Sequence, residues 1–303
     1  MISCIKQITL IFIFNALFIN NVYSQEFSHV NCNNAVDKGN YSLALSLAKD
    51  ALDKNNTEKS ALICKGRALS ATGELPEALL AFKSAKENTQ DIFDKVIISI
   101  LSGNAYVVAK QYEEAIPDYQ QAINYAQESK NRKFERIAQN LIGDANLKAN
   151  HLDKALAAYN QGNKLAENDN ERGESYENLA LTHHLLKQND QALEYQIKAY
   201  FMHERVGTPD QYAHSGIELG RYYTEAKNYT SAENTFNKVM KFANEQGGAY
   251  YEAQAKYMLA KVKAATGDIP AAKQLIAEAQ QLAIKTKDSA LEQEIKQETQ
   301  GLI

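Results

Sequence analysis

The sequence predicts an all-α fold, a solenoid of about seven helix-turn-helix repeats closed by a carboxy-terminal capping helix. Three observations carry this. An alanine recurs at Ala44, Ala78, Ala115, Ala155, Ala192, Ala232 and Ala272, at intervals of 34, 37, 40, 37, 40 and 40 residues. Such a period marks an array of one supersecondary unit. Within each interval small and apolar residues fall three or four apart in two bursts, the spacing of one helix face. A short turn separates the bursts.

The second copy is the cleanest. Leu62, Gly66 and Leu69 form its first burst, and Ala78, Phe82 and Ala85 its second, around Gly73-Glu74-Leu75-Pro76. Glycine ends one helix and proline is tolerated in the first turn of the next. The same grammar stands at Lys38-Gly39-Asn40-Tyr41, Lys110-Gln111-Tyr112, Asn150-His151-Leu152, Lys227-Asn228-Tyr229 and Thr266-Gly267-Asp268-Ile269-Pro270. Gly66, Gly103, Gly143, Ala180, Gly220 and Ala260 hold equivalent places in successive first helices, where small side chains let axes approach. Large residues at Phe82, Tyr119, Tyr159 and Phe236 should then fill the space between repeats.

The longer intervals add close to one or two helical turns and keep the apolar stripe on its side. Tyr125 to Ile137 and Tyr200 to Ile217 read as extended helix ends around polar turns. Thr208-Pro209-Asp210-Gln211 reads as an N-cap, a first-turn proline and a capping-box glutamine. Pro117 falls inside a helix and predicts a kink or a later helix start. From residue 287 to 303, Leu291, Ile295 and Leu302 among polar neighbours form the final, solvating helix.

This arrangement resembles the tetratricopeptide repeat family, a right-handed α-solenoid with a small residue at station eight and alanines at stations twenty and twenty-seven. Gly66, Ala78, Phe82 and Ala85 meet stations eight, twenty, twenty-four and twenty-seven; so do Gly103, Ala115, Tyr119 and Ala122. Gly220, Ala232, Phe236 and Val239 come close, as do Gly143, Ala155, Tyr159 and Gly162. Two repeats depart: the first has Cys32 and Ala48 at stations eight and twenty-four, and the fifth has Gln196 at station twenty-four. The family's early tryptophan is missing, since the chain has none. The resemblance covers residues 25 to 286.

Residues 1 to 24 read as a bacterial secretory signal, with Lys6 at its charged start, an apolar stretch from Ile8 to Ile19, and Val22-Tyr23-Ser24 before the cut. An uncleaved anchor is the alternative. The expected location is the periplasm or the medium, with no membrane span left after cleavage. The net charge of −4 and the lack of a basic stripe speak against nucleic acid.

Cys32 and Cys64 fall on neighbouring first helices. A bridge needs Cα atoms within ~7 Å, whereas packed axes lie ~8–10 Å apart. That geometry favours two buried thiols over a bridge. His29 and Cys32 share a face but lack further metal ligands. His183 and His184 point ~100° apart on a helix and cannot chelate together. There is no HExxH spacing, no phosphate loop and no nucleophile–base pattern, so neither cofactor, metal nor catalytic activity is expected.

The resemblance implies a concave groove lined by first helices that binds a peptide or partner protein. Its groove stations fall on Arg67, Asn104, Asn140, Asp144, Glu177, His184, Arg221, Tyr257 and Lys261. They suggest an acidic middle at Asp144 and Glu177, with basic flanks at Arg67 and at Arg221 and Lys261. Carboxylate capture is not expected there, because Asp144 and Glu177 would repel it. The function this favours is a non-enzymatic scaffold of the cell envelope. The alternative is a sensory module working with a separate signalling protein.

Overall fold

The computed structural model describes residues 31–302. The expected signal segment, Lys6 and His29 lie outside the described residues. Fifteen α-helices and no β-strand occur among those described. The first, α1, is described over 31–37. It is followed by α2 (Tyr41–Lys54), α3 (Lys59–Thr72), α4 (Leu75–Glu87), α5 (Ile92–Val108), α6 (Tyr112–Glu128) and α7 (Arg132–Lys148). Then come α8 (Leu152–Leu165), α9 (Asp169–Leu185), α10 (Asn189–Val206), α11 (Pro209–Glu225) and α12 (Tyr229–Gln246). The last are α13 (Ala249–Ala265), α14 (Ile269–Thr286) and α15 (Ser289–Glu298). They gather into two compact halves, one through His151 and one from Leu152. Each half packs its helices in sequence order. No helix among the described residues is long and apolar enough to cross a membrane.

Turn chemistry explains the boundaries. Gly73 ends α3 with φ +88°, and Lys110 takes the matching left-handed place after α5 with φ +60°. Asn40, Asn131, Asn228 and Asp268 then cap the helices that follow, each accepting a backbone N–H. Thr208 and Gln211 form the reciprocal capping box the sequence predicts. Pro117 does not delay its helix: α6 starts at Tyr112 and runs through it.

The seam between paired helices obeys a steric rule. The residues at stations eight and twenty-four stand 16 apart in every repeat. Phe82 lies so tightly on Gly66 that a Cβ there would come within 2.6 Å of the ring; on Gly103 it would come within 2.5 Å of Tyr119. Gly220 meets Phe236 in the same way. Where station eight carries a Cβ, the partner is no longer aromatic: Cys32 with Ala48, Ala180 with Gln196, Ala260 with Ile276. The large rings thus fill space within a hairpin first, although Phe82 also shares a core cluster with Ile98 of the next repeat.

Cys32 and Cys64 form a disulfide, with Cα atoms 6.2 Å apart. This corrects the expectation of two thiols. Each Cα stands ~2.3 Å off its helix axis, so facing Cα atoms approach more closely than the axes do. Ala35, Ala44, Ala48 and Ala68 around the pair keep nothing bulky between them.

In the carboxy-terminal half, α15 buries Leu291 and Ile295 on α13 and α14, with Leu302 packed beside them. It stands where the first helix of an eighth repeat would.

Candidate functional site

In the amino-terminal half, two of the expected groove residues, Arg67 and Asn104, are already engaged. Arg67 donates from Nη1 to Asn33 Oδ1 (2.9 Å) and from Nη2 to Asp37 Oδ1 (2.5 Å). Asn104 Oδ1 accepts the Tyr119 hydroxyl at 2.7 Å. Burial, and behind it the charge of Asp144, pushes the Tyr119 phenol far above its ordinary value. Asn140 keeps its Oδ1 buried without a hydrogen bond.

The carboxy-terminal half contains a cavity of about 830 Å³ on the face shared by α9, α11 and α13. Glu177, Arg221 and Lys261 line it, so three of the predicted residues converge. His184 stands at its edge, with Nδ1 3.3 Å from Glu225 Oε2 and Nε2 3.4 Å from Arg221 Nη1. Tyr257 does not join them. It is 2% exposed, and its hydroxyl donates to Glu294 Oε1 of α15 at 2.6 Å. The station is right, but α15 covers it.

The expected basic flanks are neutralised. Arg221 bonds Glu218 through Nε (3.1 Å) and Nη2, reaches Glu225 Oε1 at 3.1 Å, and lies 4.5 Å from the Tyr222 ring centre. Lys261 pairs with Glu298 of α15. Those acids follow readable spacings: Glu218 and Glu225 stand three before and four after Arg221, and Glu298 stands one repeat interval beyond Lys261.

Glu177 differs. Its Oε2 is 3.5 Å from His203 Nε2, and its Oε1 is buried with no hydrogen bond. Gly173 lets the His203 ring in, since a Cβ there would come within 2.7 Å of it. Beside the cavity, Gln196 is 2% exposed and donates from Nε2 to Ser215 O (2.9 Å) and Oγ (3.1 Å). Its N–H groups are thereby committed to Ser215, and Gln196 is among the residues that line the cavity. Leu181, Tyr222 and Met258 supply apolar wall. Burial above all pushes the Tyr222 phenol up to about 12, so it stays protonated. The departure of the fifth repeat at Gln196 was the sequence signal for this place: an amide stands where four other repeats seat a ring, at Phe82, Tyr119, Tyr159 and Phe236.

Among the described residues, no group of histidine, cysteine and carboxylate side chains is placed to hold a metal. His183 stacks on Tyr195 while its neighbour His184 turns to Glu225. The arrangement is suited to hydrogen bonding and charge pairing with a bound chain.

The tetratricopeptide repeat models match residues 33–91, 96–168 and 171–245, more than half of the chain. The chain belongs to the tetratricopeptide repeat family. As such it is a protein–protein interaction module. No curated protein is similar to it in sequence. Among solved structures, this tetratricopeptide repeat protein is similar to the apo form of RapI. Identity is 13%, coverage 90% of this chain and 80% of that one, and the TM-score 0.69. It is similar to aspartyl phosphate phosphatase F of Bacillus subtilis at 14% identity, covering 92% and 79%, with a TM-score of 0.64. A STAND signal transduction ATPase with a tetratricopeptide repeat sensor, from Pyrococcus horikoshii, gives 16%, 88% and 44%, and 0.70. At such identities the likeness is one of fold.

Proposed function

We propose that the chain is a non-enzymatic scaffold of the bacterial cell envelope, exported by its amino-terminal signal. It holds a peptide or a segment of a partner protein on its first-helix face. The observation that supports this is the carboxy-terminal cavity, where Glu177, Arg221 and Lys261 converge beside apolar wall. About 830 Å³ falls within the ~300–1,000 Å³ of ordinary ligand pockets. Arg67, Asn104, Asn140 and Asp144 belong to the other half and are proposed as contacts of that half by itself.

A second reading is a sensory module acting with a separate signalling protein. What favours it is the fold shared with a protein described as carrying a tetratricopeptide repeat sensor.

Capture from envelope extract by the immobilised chain, beside its Glu177→Lys variant, tests both. Scaffolding predicts structural or assembly proteins that the variant loses; sensing predicts a kinase or cyclase ectodomain lost in the same way. Equal capture by the two proteins would remove the cavity as the binding site.

A further inference from the structure

The cavity's charges do not balance. Four carboxylates line it, those of Glu177, Glu218, Glu225 and Glu298, against the cations of Arg221 and Lys261. Arg221 is spent on Glu218 and Glu225, and Lys261 on Glu298. Glu177 is left with a buried, unbonded Oε1 and a histidine 3.5 Å from its Oε2, beyond good hydrogen-bond length. The Glu177 side chain keeps 23% of its surface exposed, so the cost falls on the one buried oxygen that has no donor. Gln196, nine-tenths buried and more, adds an acceptor whose donor end is already committed to Ser215.

We propose that this cavity takes the cationic side chain of an arginine or lysine on a peptide segment, with Glu177 as its counter-ion and Gln196 as a second acceptor. The inference rests on the reading that the cavity holds a partner segment, and names what that segment must carry. An acidic side chain would meet four carboxylates. A neutral donor can bond Glu177 but would leave the excess of carboxylates over cations uncompensated. A cation with several N–H groups satisfies Glu177 and Gln196 together. Leu181 and Met258 give its aliphatic stem an apolar wall. The volume, far above that of one side chain, favours a peptide over a free amine. His203, with no exposed side-chain surface, stands 3.5 Å from Glu177 Oε2 and makes no hydrogen bond to it.

The test is selection of a random heptapeptide phage library on the immobilised full chain. The expected result is enrichment of arginine or lysine at one position over the unselected library. A selected peptide should bind Glu177→Gln about tenfold more weakly, the scale of one charge-assisted hydrogen bond. Glu298→Gln frees the Lys261 ammonium and should weaken the same peptide, even if Glu177→Gln melts early. Peptides without basic residues, or basic peptides that bind Glu177→Gln as well as the parent, overturn the counter-ion assignment while leaving peptide binding intact. If the parent chain selects no peptide, the groove reading itself fails and the inference with it.

Discussion

Phe82 lies against the bare Cα of Gly66, and no room remains there for a methyl group. The ring is buried and shares its cluster with Leu62, Leu69 and Ile98. Gly66→Ala therefore sets two effects against each other. Helix propensity favours alanine by ~1 kcal/mol, while overpacking an enclosed site costs about 1–3 kcal/mol. The enclosed ring cannot swing away, so the variant should lose stability. Replacing Phe82 by isoleucine, the partner that Ala260 has in Ile276, should relieve part of the loss. A double-mutant cycle by urea denaturation should return a favourable coupling of about 1 kcal/mol; simple additivity would contradict the seam rule.

The disulfide closes a loop spanning 32 positions between Cys32 and Cys64. Chain-entropy arithmetic gives such a crosslink about 3–4 kcal/mol. Peptide mapping without reductant should recover the two cysteines in one linked fragment. Reduction should lower the urea midpoint; a midpoint indifferent to reductant would remove the bridge from the account.

Asp94 titrates with folding. Burial raises its pKa, but the Lys59 ammonium and the Thr89 hydroxyl outweigh burial, and the net shift is downward. A depressed carboxylate stabilises the fold above its unfolded pKa, ~3.9, and that contribution fades as pH falls through the folded value. Because both partners keep partial solvent contact, the effect should stay below ~1 kcal/mol. Asp94→Asn should cost that much at about pH 7 and nothing near pH 2. A penalty independent of pH would show that the side chain acts through packing.

The hairpins were legible in the chain because their signals are local. Ala78, Phe82 and Ala85 repeat at helical spacing, and Thr208 and Gln211 announce their cap within four residues. The disulfide was not legible, because Cα approach depends on how two helices meet. The burial of Tyr257 was not legible for a related reason: a final helix is expected from the sequence, but not that its Glu294 takes the Tyr257 hydroxyl. The cavity charge depended on partners as well. Lys261 reads as a free cation until Glu298, one repeat onward, is set beside it.

The fifth repeat can be converted to the glycine–aromatic type. Ala180→Gly with Gln196→Phe should fold as the parent does, because the glycine makes room for the ring. It should also lose partner capture, since the amide beside the cavity is gone. Circular dichroism and pull-down together check this. Gln196→Phe alone should destabilise by about 1–3 kcal/mol through the Ala180 methyl group.

Site-specific photocrosslinking in the living cell tests the central claim most directly. A benzophenone amino acid placed at Leu181, on the cavity wall and 38% exposed, is compared with one at Lys241, exposed on α12. The account predicts discrete adducts with a partner from position 181 and none from 241. Adducts from 241 alone would contradict it.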